Sequence, residues 1–108
     1  MDYRLLQKAK PPIGTQNNML ESIVEKDLVD GVGEKGGLCC KLVDQGRRGF
    51  PDRTVLMPGS QVIFVETKAP NGKLQPWQKR YHVALRLLGF RVDVLWDRIG
   101  VLDFLSSL

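Results

Sequence analysis

The sequence predicts a mixed α/β domain of the α+β kind, in the order α-β-β-β-α-β-α, with helices on both faces of one mixed sheet. Three observations predict it. Compact runs of strand length recur in LCCKLV, TVLM, QVIFVETKA and RVDVLW. Two stretches carry apolar residues at helical spacing instead, one before the first run and one between the third and fourth. Pro58-Gly59-Ser60 separates the second and third runs as a three-residue hairpin loop.

Residues 1–16 read as a lead segment broken by Lys10-Pro11-Pro12 and Gly14, and residues 17–108 as the domain proper. In NNMLESIVEKDLVDGVGEKGG, Leu20, Ile23, Val24 and Leu28 recur at helical spacing. Asn17 or Asn18 is placed to cap that helix and Gly36-Gly37 to end it. After the strand LCCKLV, the segment DQGRRGFPD is a loop punctuated by Gly46, Gly49 and Pro51. Pro76 suits the first turn of a second helix whose apolar stripe is Leu74, Trp77, Tyr81, Ala84, Leu85 and Leu88, with Gly89 as its end. RVDVLW then makes a fourth strand and GVLDFLSSL a short closing helix.

A chain of 108 residues is one domain's worth, and 43% hydrophobic with 26% charged residues is ordinary globular composition. No apolar run approaches the ~20 residues that span a bilayer, and MDYRLLQKAKPP lacks the apolar stretch of a secretory signal, so the expected location is the cytoplasm. Sixteen Lys and Arg against twelve Asp and Glu give a net charge of +4, mild evidence for a polyanionic partner. The basic residues cluster: Arg47, Arg48 and Arg53 bracket the GFPD turn, and Lys73, Lys79, Arg80 and Arg86 follow in one later segment. Cys39 and Cys40 are adjacent, facing opposite sides of a strand, which suits small hydrophobes rather than a disulfide. With one histidine in the chain, a structural zinc site lacks ligands.

The hairpin brings carboxylates together. If Met57 and Gln61 flank its loop, Leu56 faces Val62, Thr54 faces Phe64, and Asp52 faces Glu66. Directly opposite residues hold their Cβ atoms ~4.5–5.5 Å apart. Like charges at that distance repel, and a hard divalent cation such as Mg²⁺, which takes carboxylates, water and phosphate oxygens, resolves the conflict. Lys68, two positions from Glu66, points to the same face and can assist a water there. The plainer alternative is a Glu-Lys ion pair on an exposed strand edge. The apolar VIFV before Glu66, the Pro-Asp across the hairpin and the surrounding basic cluster weigh against it.

GRRGFPDRTVLMPGSQVIFVETKAPNGKLQPWQKRYHVALRLLGFRVDVLW resembles a VRR-NUC domain, the virus-type replication and repair nuclease branch of the PD-(D/E)xK superfamily, in its stand-alone phage form. Pro51-Asp52 with Glu66-Thr67-Lys68 matches the superfamily motif. The flanking G-x-P-D, the K-A-P-x-G-K-L turn and Q-K-R-Y-H make the likeness specific, and it extends from about Met19 into the closing helix. The resemblance implies a restriction-endonuclease-like core. It also implies Asp52 and Glu66 as metal-binding carboxylates, the main-chain carbonyl of Thr67 as a further ligand, and Lys68 as the catalytic lysine. Glu21 corresponds to an acidic residue of the first helix, with Glu25 one turn on as its competitor, and Gln78 to a glutamine of the next helix. His82 reads as a boundary residue on the Gln75/Gln78/His82 polar stripe.

The expected activity is therefore a Mg²⁺- or Mn²⁺-dependent, structure-selective DNA endonuclease, with Arg47, Arg48, Arg53, Lys73 and Lys79 contacting phosphates without reading sequence. Family likeness points to a Holliday-junction resolvase acting as a homodimer on branched DNA, since cutting two strands symmetrically needs two sites. The terminal VLDFLSSL is one candidate interface. The alternatives are a flap endonuclease or exonuclease using the same site, and a non-catalytic DNA-binding module of a replication or repair assembly.

Overall fold

Helix α1 spans Gln16–Glu34, followed by β1(Leu38–Cys40), β2(Arg53–Met57), β3(Gln61–Thr67), α2(Pro76–Leu87), β4(Arg91–Leu95) and α3(Arg98–Ser106), the expected order. The computed structural model describes residues 16–108, with side chains from residue 21 onward. The expected lead segment therefore lies, its last residue apart, outside the described residues. Asn17 and Asn18 fall inside α1 rather than capping it, because the helix already begins at Gln16.

The other end of α1 matches its sequence signal. Gly36 takes φ +83, its N–H donates to the carbonyl of Gly33, and Gly37 N–H reaches the carbonyl of Val32, closing the helix in a Schellman motif. Val24, Leu28 and Val32, four residues apart, are all buried, whereas Ile23 stands on the solvent side of that stripe. The helix continues through Gly31, where Leu105 of α3 packs so close that a Cβ would require that side chain to shift.

The four strands lie in the order β1-β2-β3-β4. β1 and β2 pair antiparallel, as do β2 and β3 in the expected register, with Met57 opposite Gln61, Leu56 opposite Val62 and Thr54 opposite Phe64. The ladder ends at Arg53 opposite Val65. Asp52 thus sits at a bend one residue beyond β2. β4 pairs parallel to β3, with Glu66 opposite Val94, and α2 supplies the crossover that parallel strands need.

Helices cover both faces. On one, Val24, Leu28 and Val32 of α1 and Val101 and Phe104 of α3 pack on Cys39, Val55, Ile63, Val65 and Leu95. Each fully buried Leu or Ile there is worth about 1.5–3 kcal/mol. On the other, Leu85 packs on Phe64 and Val92, with Phe50 and Tyr81 alongside. The α2 stripe is rotated from the one expected: His82 and Leu85 are buried, while Ala84 and Leu88 are exposed, Leu88 because it is already the C-cap. VLDFLSSL buries Val101 and Phe104 within its own chain and leaves Leu102 exposed.

The run LCCKLV is strand only as far as Cys40, and Leu42 and Val43 are exposed beyond it. Neither cysteine is in a disulfide, and burial pushes the Cys39 thiol up to about 12. The following loop is strapped to α2. The Tyr81 hydroxyl donates to Asp44 Oδ2 at 2.7 Å, the Arg48 guanidinium lies 4.0 Å over the Trp77 ring, and Phe50 meets Tyr81 and Phe64 edge-on. Gly49, at φ +100, passes so near that a Cβ would stand 2.4 Å from the Trp77 carbonyl oxygen.

Gly49→Ala therefore combines a left-handed backbone with a clash against fixed main chain. It is expected to cost at least about 1–3 kcal/mol in a urea or thermal melt. Gly46→Ala, in the same loop but facing only the Asp44 carboxylate at 3.8 Å, serves as the near-neutral control.

Candidate active site

The candidate site forms where β3 leaves the sheet's interior. Four apolar residues carry the strand inward, so Glu66 arrives at 1% side-chain exposure. Across the hairpin, Pro51 is buried and the chain bends at Asp52. Asp52 Oδ2 accepts from the Thr67 backbone N–H at 3.0 Å and from Thr67 Oγ1 at 3.2 Å. A side chain thus takes over the acceptor's role where the ladder has stopped. The Asp52 carboxyl is also hydrogen-bonded to that of Glu66. Lys68 is half-buried, and its backbone N–H extends the parallel pairing to the Leu95 carbonyl at 2.9 Å.

Glu21 reaches the same place from α1, where it feels the charges of Asp52 and Lys68. Its competitor is engaged elsewhere: Glu25 Oε1 accepts from Arg53 Nε at 2.7 Å and lies 3.3 Å from Lys41 Nζ. Arg53, expected at DNA phosphates, has a side chain only 12% exposed and tied to Glu25, which joins α1 to β2. Lys26, a possible partner for Glu21 by sequence, pairs with Asp30.

His82 is the residue that sequence reasoning missed. It is buried rather than at a boundary, with Nε2 3.1 Å from Glu66 Oε1. Its signal was the spacing Gln78, His82, Leu85, which continues a polar stripe straight into a core position. Gln78 itself points its Oε1 at the Gln75 backbone N–H, 2.8 Å away, as half of a capping box beside Pro76. Its amide nitrogen is the end left for a substrate. Of the remaining basic residues, Arg48 stacks on Trp77, Arg47 lies 3.7 Å from Asp44, and Lys73 and Lys79 are exposed.

Electrostatics follow from burial. The Glu66 carboxyl is pushed up to about 9, first by burial, then by the hydrogen bond to Asp52 and its charge, with Lys68 opposing. Glu21 is raised for the same leading reason, then by Asp52. His82 is held below its ordinary value by burial and by Arg86, which keeps its ring neutral. Among the described residues no three His, Cys, Asp or Glu side chains form a ready cage for a metal ion. The donors that do meet are the hydrogen-bonded carboxyls of Asp52 and Glu66. All are oxygen, which fits a hard cation that completes its shell with water and phosphate.

Because the folded-state value of Glu66 lies above its ordinary 4.5, the folded protein keeps a proton that the unfolded chain has lost. Without metal, that contribution to stability is intact below about 4.5 and is lost as pH rises toward about 9. Glu66→Gln mimics the protonated group, donating to Asp52 and accepting from His82. In EDTA at pH 8 its melting midpoint is expected above that of wild type, by roughly 4–8 °C per kcal/mol recovered, with the gap closing at pH 5.

Comparison with known proteins identifies the family. The family model described as "VRR-NUC domain" matches residues 15–96. A relative described as "Putative nuclease p44", from Acyrthosiphon pisum secondary endosymbiont phage 1, is 49% identical over 75 residues, covering 69% of this chain and 81% of that protein. A solved structure described as "VRR_NUC domain" superposes with a TM-score of 0.75 at 34% identity, covering 80% of this chain and 94% of that one. The chain belongs to the VRR-NUC domain family.

Proposed function

We propose that the protein is a Mg²⁺- or Mn²⁺-dependent, structure-selective DNA endonuclease that hydrolyses phosphodiester bonds, a Holliday-junction resolvase working as a homodimer in the cytoplasm of a host cell. The observation that carries the nuclease reading is the convergence of Asp52, Glu66, Lys68 and Glu21 at the end of β3, with the carboxyl of Glu66 buried against that of Asp52. Membership of a nuclease family supports it. Among the described residues no helix is long and apolar enough to cross a membrane.

Asp52, Glu66 and the main-chain carbonyl of Thr67 would hold the cation, with Glu21 alongside. The cation supplies charge neutralisation at the phosphate and acidity to a nearby water. His82 keeps the Glu66 carboxyl aimed, and the strapped loop keeps Asp52 in place. Lys68 orients the attacking water and stabilises the charge that develops on the phosphoryl oxygens. Water oxygen bonds to phosphorus, the bond from phosphorus to the departing sugar oxygen breaks, and the water's proton ends on that oxygen. The Gln78 amide donates to the phosphate. Arg47, Arg48, Lys73 and Lys79 neutralise flanking phosphates without sequence readout. Exposed Val83, Leu87 and Leu88 on α2 support a covering second copy better than VLDFLSSL does.

Cleavage of a labelled four-way junction, a 5′ flap and plain duplex, with Mg²⁺, Mn²⁺ or EDTA, tests the reading. Wild type is expected to make paired nicks in the junction only with metal. Lys68→Ala is expected to lose roughly 10²–10⁴-fold in rate while still binding. Cutting of the flap alone would remove the resolvase assignment and keep the site. Tight, salt-sensitive binding with no cleavage under any metal would make the protein a DNA-binding module.

A further inference from the structure

A cavity of about 280 Å³ opens beside Asp52, between Glu25 of α1, the segment that follows β1, and the Gly49–Asp52 turn. Leu42 and Val43, with 50% and 78% of their surface exposed, line it together with Phe50 and the otherwise buried Pro51. Lys41 and Arg47, both exposed, stand at the rim.

The acidic groups of the lining already have partners. Glu25 takes Arg53 and Lys41, and Asp44 takes the Tyr81 hydroxyl and Arg47. What a ligand meets is an apolar wall and two exposed cations, whose ion pairs with Glu25 at 3.3 Å and Asp44 at 3.7 Å are of the weak solvent-facing kind that a phosphate can replace, with Asp52 also in the lining. Its volume, just below the roughly 300–1,000 Å³ typical of small-ligand pockets, leaves room for a planar heterocycle.

We propose that this cavity binds the base of a single unpaired nucleotide next to the scissile phosphate, so that the preferred substrate is DNA with an unstacked nucleotide at the cutting position. The inference rests on the nuclease reading above and adds the substrate feature. An apolar wall and an aromatic edge accept any of the four bases, so the pocket selects structure without selecting sequence. Lys41 and Arg47 then meet the phosphates on either side of the docked base. Intact duplex pays the energy of unstacking before it can fill the cavity, whereas a nucleotide at a branch or flap is already free or nearly so. The exposed Leu42 and Val43 gain a use that the fold alone does not provide.

In EDTA, fluorescence anisotropy of a short oligothymidylate and of an abasic oligomer with the same number of phosphates isolates the base from the charge. Wild type is expected to bind the base-bearing strand at least about 5-fold more tightly. Leu42→Ser with Val43→Ser is expected to bind both strands equally at an unchanged melting midpoint, since both side chains are exposed. Equal affinity of wild type for the two strands, or a base preference that survives in the double variant, overturns the proposal. The nuclease reading fails by a different sign, namely no metal-dependent cleavage by wild type while the base preference persists.

Discussion

A buried carboxyl facing a second carboxyl is the constraint on which the rest of this structure depends. Glu66 lies almost wholly inside, bonded to Asp52 and touched by His82. Burying an unpaired charge is prohibitive, so the group is either protonated or neutralised by something bound. Each neighbouring element acts on that condition. β3 sets the depth, α2 supplies the neutral imidazole, the Thr67 backbone fixes the opposing carboxylate, and Lys68 contributes a compensating positive field.

Asp52 has no strand beneath it, and a loop would ordinarily leave such a side chain free to wander. Here the loop is tied to α2 at several points by contacts of different kinds: a hydroxyl–carboxylate bond, a guanidinium over an indole, edge-on aromatic pairs, and a glycine pressed to a carbonyl. The same helix therefore positions both carboxyls, Glu66 through His82 and Asp52 through the loop. On the opposite face, the Arg53–Glu25 pair fixes α1 to β2 and so sets where Glu21 meets the others. A site assembled from both faces of the sheet moves only if the whole domain loosens.

The strap also shapes the ground beside the site. Because the chain leaves the sheet at Cys40 and returns only at Arg53, the intervening residues lack a strand ladder and are held largely by side chains, and the cavity next to Asp52 lies against them. Its apolar wall and basic rim would suit the docked base proposed above, with the phosphate beside Asp52.

Much of this was legible in the sequence. The element order, the Gly36-Gly37 helix stop, the hairpin register and the placement of Lys68 beside Glu66 follow from periodicity and turn chemistry, which are local properties and act wherever the chain goes. The family likeness rested on the same short motifs, and the family match over 15–96 stops just short of α3. Tertiary structure alone decided the rest. Whether an arginine stands in solvent or pairs with a glutamate, as Arg53 does with Glu25, depends on which helix crosses its strand. Whether His82 is boundary or core depends on the roll of α2 about its axis. Whether LCCKLV is strand to its end depends on how much partner strand β2 offers. Each is set by packing between segments far apart in the chain, and no window of neighbouring residues contains that information.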